Sequence, residues 1–176
     1  EVFKVPVVGA ILRGAEQIPV YRETGQAVDA FRAAVAAVEK GQCIAIYPEG
    51  TLTRDPELWP MTAKTGAAKI ALTTRCPVIP VGQWGPQAVL EPYGRRLHVF
   101  PRKTMHIRAG APVDLSDLYE RPMNHATLVE ATDRIMAAIT AIVEELRGEQ
   151  APAERFDARA HGLKPTGNFR KPREAS

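Results

Sequence analysis

Cys43-Ile44-Ala45-Ile46-Tyr47-Pro48-Glu49-Gly50-Thr51 is the stretch on which the reading of this chain turns. Its apolar opening has the length and composition of a buried strand, and a turn follows at once. Pro48 lacks the N–H that a ladder needs, Gly50 permits a backbone conformation closed to most residues, and Thr51 brings a hydroxyl. Glu49 and a group of backbone N–H donors are thereby expected at the exposed end of a strand. In open α/β sheets that end is where ligands bind.

Helices are expected on both sides of this junction. Upstream, Val28, Phe31, Val35 and Val38 recur as one apolar stripe over Gly25 to Lys40, with Gly41 as the stop. Downstream, a polar loop holding Asp55, Pro56, Trp59 and Pro60 leads to a helix of small residues from about Lys64 to Thr74. Cys76–Val81 reads as the next strand, with Pro77 and Pro80 placing it at an end or edge of its sheet. The alternation of helix and apolar strand with short connections predicts an α/β sheet, parallel in this part, with helices packed on its faces.

Further strand candidates are Gln17–Tyr21, Leu97–Phe100 and Thr104–Arg108, and residues 1–13 read as a short helix or helix-turn. Asn124 is placed to cap a long helix whose Leu128, Ile135, Ile139, Ile142 and Leu146 mark a buried stripe ending near Gly148. Residues 1–150 are expected to form one core and 151–176 a basic, flexible tail with Pro and Gly and few apolar residues.

Composition narrows the partners. The chain has 176 residues, 45% of them hydrophobic and 24% charged, which suits one soluble domain with a sizeable core. Residues 1–150 carry 17 Lys/Arg and 17 Asp/Glu, whereas 151–176 carry 6 and 3, so the net charge of +3 sits in the tail. A neutral body argues against nucleic acid as a partner. Cys43 and Cys76 have no zinc or redox spacing and read as buried free thiols. The longest apolar stretch, Val5–Leu12, is 8 residues and contains a proline, far short of the roughly 20 that span a bilayer. Signal-peptide features are absent, and the start at Glu1 suggests a longer parent protein.

The chemistry-bearing residues fall at neighbouring places in this order of elements. Arg22 closes the first strand candidate, Glu49-Gly50-Thr51 close the second, and Lys64-Thr65-Gly66 open the following helix. In a parallel sheet those positions share one edge, which would be cationic and rich in N–H donors. Arginine grips phosphate through paired hydrogen bonds and a helix N-terminus adds donors, so a phosphate-bearing small molecule is the implied ligand. The Lys64-Thr65-Gly66 triplet also occurs in serine β-lactamases, but the only serines are Ser116 and Ser176 and neither begins Ser-x-x-Lys. No phosphate-binding P-loop pattern is present. Trp59, Trp84 and Tyr93 lie in loops, where they either pack or form an apolar rim for lipid.

Four segments in order resemble the glycerolipid acyltransferases, in particular the bacterial 1-acyl-sn-glycerol-3-phosphate acyltransferases: Glu1–Pro6 with Gly9, Ile18–Arg22, Tyr47–Thr51 and Pro77–Val81. The resemblance covers roughly residues 1–115. It implies transfer of a fatty acyl group from acyl-CoA or acyl-ACP to the sn-2 hydroxyl of lysophosphatidic acid, giving phosphatidic acid in phospholipid biosynthesis. The implied partners are those two substrates, an acyl carrier protein as alternative donor, and a membrane surface on the cytoplasmic side, bound peripherally. No metal or cofactor beyond the thioester co-substrate is implied. Arg22, Glu49, Gly50, Thr51, Arg54 and Lys64 are the implied substrate-binding residues, with Glu49 supporting catalysis by orienting a neighbour. Arg54 stands two places beyond Leu52, where the family commonly has Arg.

The family also uses a His, four intervening residues, and an Asp as its general base, worth roughly 10² to 10⁴ in rate. None of His98, His106, His125 and His161 has an Asp at that spacing; His125 has Glu130, after all the other motifs and at the start of a helix. The dyad is expected upstream of Glu1, so that residues 1–176 alone would be inactive. Two alternatives keep the binding residues: another lysolipid acceptor, or a non-catalytic lipid-phosphate binding module.

Overall fold

The structure, a computed structural model, describes residues 27–94 and 96–163. The chain divides into two units, Glu1–Ala45 and Ile46–Ser176. In the first, helix α1 (Ala27–Glu39) is built from alanine-rich sequence with Asp29 in its first turn, a favourable place for negative charge. Gly41, at φ +76°, ends it as the sequence predicts: its N–H reaches the Val38 carbonyl at 2.8 Å and the next N–H, from Gln42, reaches Ala37 at 3.0 Å. The helix and strand expected within residues 1–21 lie outside the described residues.

The second unit contains helix α2 (Gly66–Thr74), strands β1 (Val81–Trp84) and β2 (His106–Ala109), and helix α3 (His125–Arg147), with short 3₁₀ turns at Pro86–Ala88 and Ser116–Leu118. Strands β1 and β2 pair antiparallel, with Val81 opposite Ala109 and Trp84 opposite His106. The expected parallel ladder is therefore not found among the described residues. Cys43–Tyr47 carries no strand, because no described segment pairs with it. The strand expected at Cys76–Val81 is shifted toward the C-terminus, since Pro77 and Pro80 have no N–H to give. Their segment still accepts from its neighbour: Gly110 donates to the Pro80 carbonyl and Val113 to that of Val78, both at 2.9 Å. Leu97–Phe100 provides only an isolated bridge, Leu97 to Leu90.

Helix α3 forms where its caps predict. Asn124 accepts the Thr127 N–H at 3.0 Å, and Gly148, at φ +68°, closes the far end with its N–H on the Glu144 carbonyl at 2.8 Å. Its buried face packs against α2 and the β ribbon. Ala131 and Ile135 join Ala68, Ala71, Leu72, Leu115 and Leu118 in one core. The ribbon approaches α3 so closely that a Cβ on Gly82 would lie 2.6 Å from Ile142 Cγ2, which is why glycine stands there.

Residues 151–163, assigned by composition to a flexible tail, have fixed contacts: the Phe156 carbonyl accepts the Thr62 N–H at 3.0 Å, Arg155 pairs with Asp133, and Ala158 is buried. Cys43 is exposed and Cys76 half-buried, contrary to the buried thiols expected, since neither opens a strand inside the sheet.

Candidate active-site turn

The Tyr47 carbonyl accepts the Gly50 N–H at 2.9 Å, closing a turn around Pro48 and Glu49. Gly50 has φ +66°, and a Cβ there would meet Lys64 Nζ at 3.3 Å and its Cδ and Cε at 3.5 Å. Glycine thus serves two needs: the left-handed backbone and the passage of the lysine side chain across it. The Lys64 N–H donates to the Pro48 carbonyl at 3.0 Å. Three of the residues singled out from sequence, Glu49, Gly50 and Lys64, are brought together by this bond between the turn and the irregular segment leading into α2. Gly66, read from sequence as a close-packing position, has open space around it.

Glu49 is the electrostatic centre of the turn. Its Oε2 is buried and has no hydrogen-bond partner among the described residues. Burial pushes its carboxyl up from 4.5 to about 7; the Met61 N–H bound to it works in the opposite direction, and the nearby charge of Asp55 adds to the rise. Near neutral pH Glu49 is poised between a neutral acid and a buried anion. Either form can take a further polar group at Oε2.

A second, unpredicted network holds the wall beneath it. Asp55 Oδ1 accepts the N–H groups of Glu57, at 2.8 Å, and of Trp59, at 3.3 Å. The Thr53 hydroxyl donates to the Trp59 carbonyl at 2.6 Å. Trp59 is 4% exposed, and the Arg147 guanidinium lies over its ring at 3.7 Å and over that of Trp84 at 4.4 Å. Arg147 also donates to the Glu57 carbonyl at 2.9 Å and to Glu149. The two tryptophans therefore pack around an arginine and form no rim for lipid. Arg54, in the same loop, is buried at 4% exposure. The Thr51 hydroxyl lies 3.5 Å from that of Tyr93, which donates to the Leu52 carbonyl at 3.4 Å.

Sequence reasoning missed Asp55, Met61 and Arg147. The available signal was Asp55 two residues before Glu57 and four before Trp59, the reach of a side chain that folds a loop onto itself. Arg22 lies outside the described residues. Among the described residues, none of the four histidines is hydrogen-bonded to Glu49, Asp55 or Trp59. His98, His106 and His125 are exposed, and His161 stacks on Phe156. Glu130, the carboxylate spaced after His125, is engaged instead by Arg121 and Arg134.

Residues 1–84 match the family model described as Acyltransferase. The resemblance read from the four ordered segments is thereby borne out, and the matched stretch contains the whole Tyr47–Lys64 site. Among relatives, the chain is 33% identical over 85 residues to a chloroplastic 1-acyl-sn-glycerol-3-phosphate acyltransferase of Brassica napus, covering 48% of this chain and 24% of that protein. It is 25% identical over 136 residues to the 1-acyl-sn-glycerol-3-phosphate acyltransferase of Bacillus subtilis, covering 76% of this chain and 62% of that one. The chain thus spans less than two thirds of each of these relatives. The crystal structure of the 1-acyl-sn-glycerophosphate acyltransferase of Thermotoga maritima superposes with a TM-score of 0.57 over 86% of this chain and 56% of its own, at 23% identity. That likeness establishes the acyltransferase-like α/β fold with its long C-terminal helix.

Proposed function

We propose that this chain is the acceptor-binding and site-supporting part of an O-acyltransferase that acylates the sn-2 hydroxyl of lysophosphatidic acid. The observation that carries the proposal is the acyltransferase-family match over residues 1–84, within which lies a turn holding a buried carboxyl. In the reaction, the acceptor hydroxyl loses its proton to a base as its oxygen attacks the thioester carbonyl. The C–S bond then breaks, and the thiolate of coenzyme A or of an acyl carrier protein leaves and takes up a proton. N–H donors stabilise the oxyanion between those steps. Arg22 holds the acceptor phosphate, while Glu49 orients a neighbouring cation or N–H and does not touch phosphate, which its charge would repel. The base is a histidine from sequence preceding Glu1, and the working protein sits peripherally on the cytoplasmic face of a membrane.

The test compares residues 1–176 with the protein extended to its natural start, using lysophosphatidic acid and an acyl thioester and detecting phosphatidic acid by mass spectrometry. The extended protein is expected to turn over and residues 1–176 to be silent. Turnover by the shorter chain would refute the placement of the base, and silence of both would refute acyl transfer to this acceptor. In the active protein, Arg22→Ala is expected to raise KM for lysophosphatidic acid roughly 10- to 100-fold, the scale of a lost charge-assisted contact, and to leave a phosphate-free acceptor unaffected. Equal loss on both acceptors would remove Arg22 from the phosphate.

A further inference from the structure

The stretch 92–113 contains no acidic residue. Within it, Phe100 is 85% exposed, Leu97 64% and Val99 53%. Arg96, Arg102 and Lys103 flank these side chains, are themselves exposed, and make no ion pair or side-chain hydrogen bond among the described residues. Soluble surfaces scatter single apolar residues, but three large ones within four positions, edged by unneutralised cations, form a directed patch.

The projection is rooted at both ends. On the near side, Leu97 bridges to Leu90 and the His98 N–H reaches the Val89 carbonyl at 2.7 Å. On the far side, the chain presses on Gly85, where a Cβ would lie 2.4 Å from the Thr104 carbonyl oxygen, before entering β2. Phe100 and Arg102 are therefore held out from the body between two fixed points. The contrast with Arg108, Arg121 and Arg134 is direct: each of those is paired with a carboxylate.

We propose that the 97–103 projection is a docking surface for an anionic bilayer, with Leu97, Val99 and Phe100 entering the headgroup boundary and Arg96, Arg102 and Lys103 meeting lipid phosphates. Charge complementarity selects this occupant. An apolar tip with a ring of unpaired cations matches an interface that is greasy below and negative above, and anionic lipid attracts each nearby cation. A protein partner of the same fit would need an apolar pocket ringed by acids. The proposal concerns where the chain meets a membrane and rests on the acyltransferase reading only for the amphipathic character of its substrate.

The experiment is vesicle co-sedimentation of the whole chain with neither lysophosphatidic acid nor thioester present, so its outcome is independent of turnover. Vesicles of phosphatidylcholine with 30% phosphatidylglycerol are compared with phosphatidylcholine alone, the proportion being roughly that of an anionic leaflet. Binding is expected to the first and to fall steeply in high salt. Arg102→Gln with Lys103→Gln is expected to weaken partitioning about 30-fold, the loss for two surface cations, and Phe100→Asp at least as much. Both variants keep the parent circular dichroism, because these side chains are exposed. A set replacing Lys164, Arg170, Lys171 and Arg173 by Gln is expected to bind nearly as the parent does. The proposal is overturned by no binding at all, by unchanged binding of the tip variants, by loss only in the tail set, or by a dimer that Phe100→Asp dissociates while vesicle binding persists.

Discussion

Replacing Arg147 with alanine is expected to lower the melting temperature by about 10 °C, on the order of 3 kcal/mol at this chain length. Three kinds of interaction are lost together. The guanidinium plane is sandwiched by Trp59 and Trp84, and each such contact is worth roughly 0.5 to 2 kcal/mol when desolvated. The bond to the Glu57 carbonyl pins the loop, and the pairing with Glu149 fixes the chain just past the C-terminus of α3. The alanine leaves both indole faces without a partner and opens a space that neither ring can fill by rotation. Arg147→Lys tests the geometry, because an ammonium keeps the charge but has no plane to stack and no fork to reach Glu57 and Glu149 at once. Lysine is expected to restore less than half of the loss in thermal unfolding. Complete rescue by lysine, or an alanine variant melting within 1 °C of the parent, would show that charge or nothing was at stake.

The consequence extends to the candidate site. Trp59 is tied to Thr53 and Asp55, and two positions further on Met61 gives its N–H to Glu49. Helix α3 thus fixes, through one arginine, the loop that sets the environment of the buried carboxyl. Site and core are mechanically continuous here, although Glu49 and Arg147 lie far apart in sequence.

What could be read from the sequence was whatever is decided locally. Gly41, Asn124 and Gly148 end or begin helices through bonds to residues a few positions away, and each does what its residue type predicts. The resemblance was legible for a related reason, since it depends on the order of short segments and not on their pairing. The strands were less legible. An apolar run such as Cys43–Tyr47 becomes a strand only when another segment meets it, and the run itself does not specify that partner. Trp59 and Trp84 were ambiguous for the same cause: their common partner, Arg147, is on an element that composition marks only as an amphipathic helix. Phe156 and Ala158 anchor a segment whose average composition resembles a tail, because one carbonyl and one small buried side chain outweigh the average. Glu49 was visible as a residue of interest, but its burial was not, since the loop that covers it is assembled from Asp55, Trp59 and Met61.

That burial gives the second large effect. Glu49→Gln is expected to reduce acyl transfer by the active protein roughly 10²-fold, the scale of a lost acid–base or orienting group, while leaving the chain folded. The amide oxygen can still accept the Met61 N–H, so the turn has no reason to open. What glutamine cannot do is carry negative charge, and the raised carboxyl predicts a distinctive pH signature for that difference. A carboxyl whose folded value is about 7, against 4.5 when free, binds a proton more tightly folded than unfolded. Its stabilising contribution is complete below about 4.5 and is lost as pH rises through about 7. The parent should therefore lose stability across that window, by up to roughly 3 kcal/mol, while the glutamine variant does not, so that the variant melts higher than the parent at pH 8 and the gap closes by pH 5. Activity runs in the opposite sense. The ionised form is the one that can hold a neighbouring cation, so the parent rate should climb through pH 7 and the variant's remaining rate should lack that limb. A variant that gains stability at pH 8 while losing activity separates a functional anion from a structural one. A variant with near-normal turnover, or a melting difference independent of pH, would return the Pro48–Thr51 turn to the status of an ordinary loop.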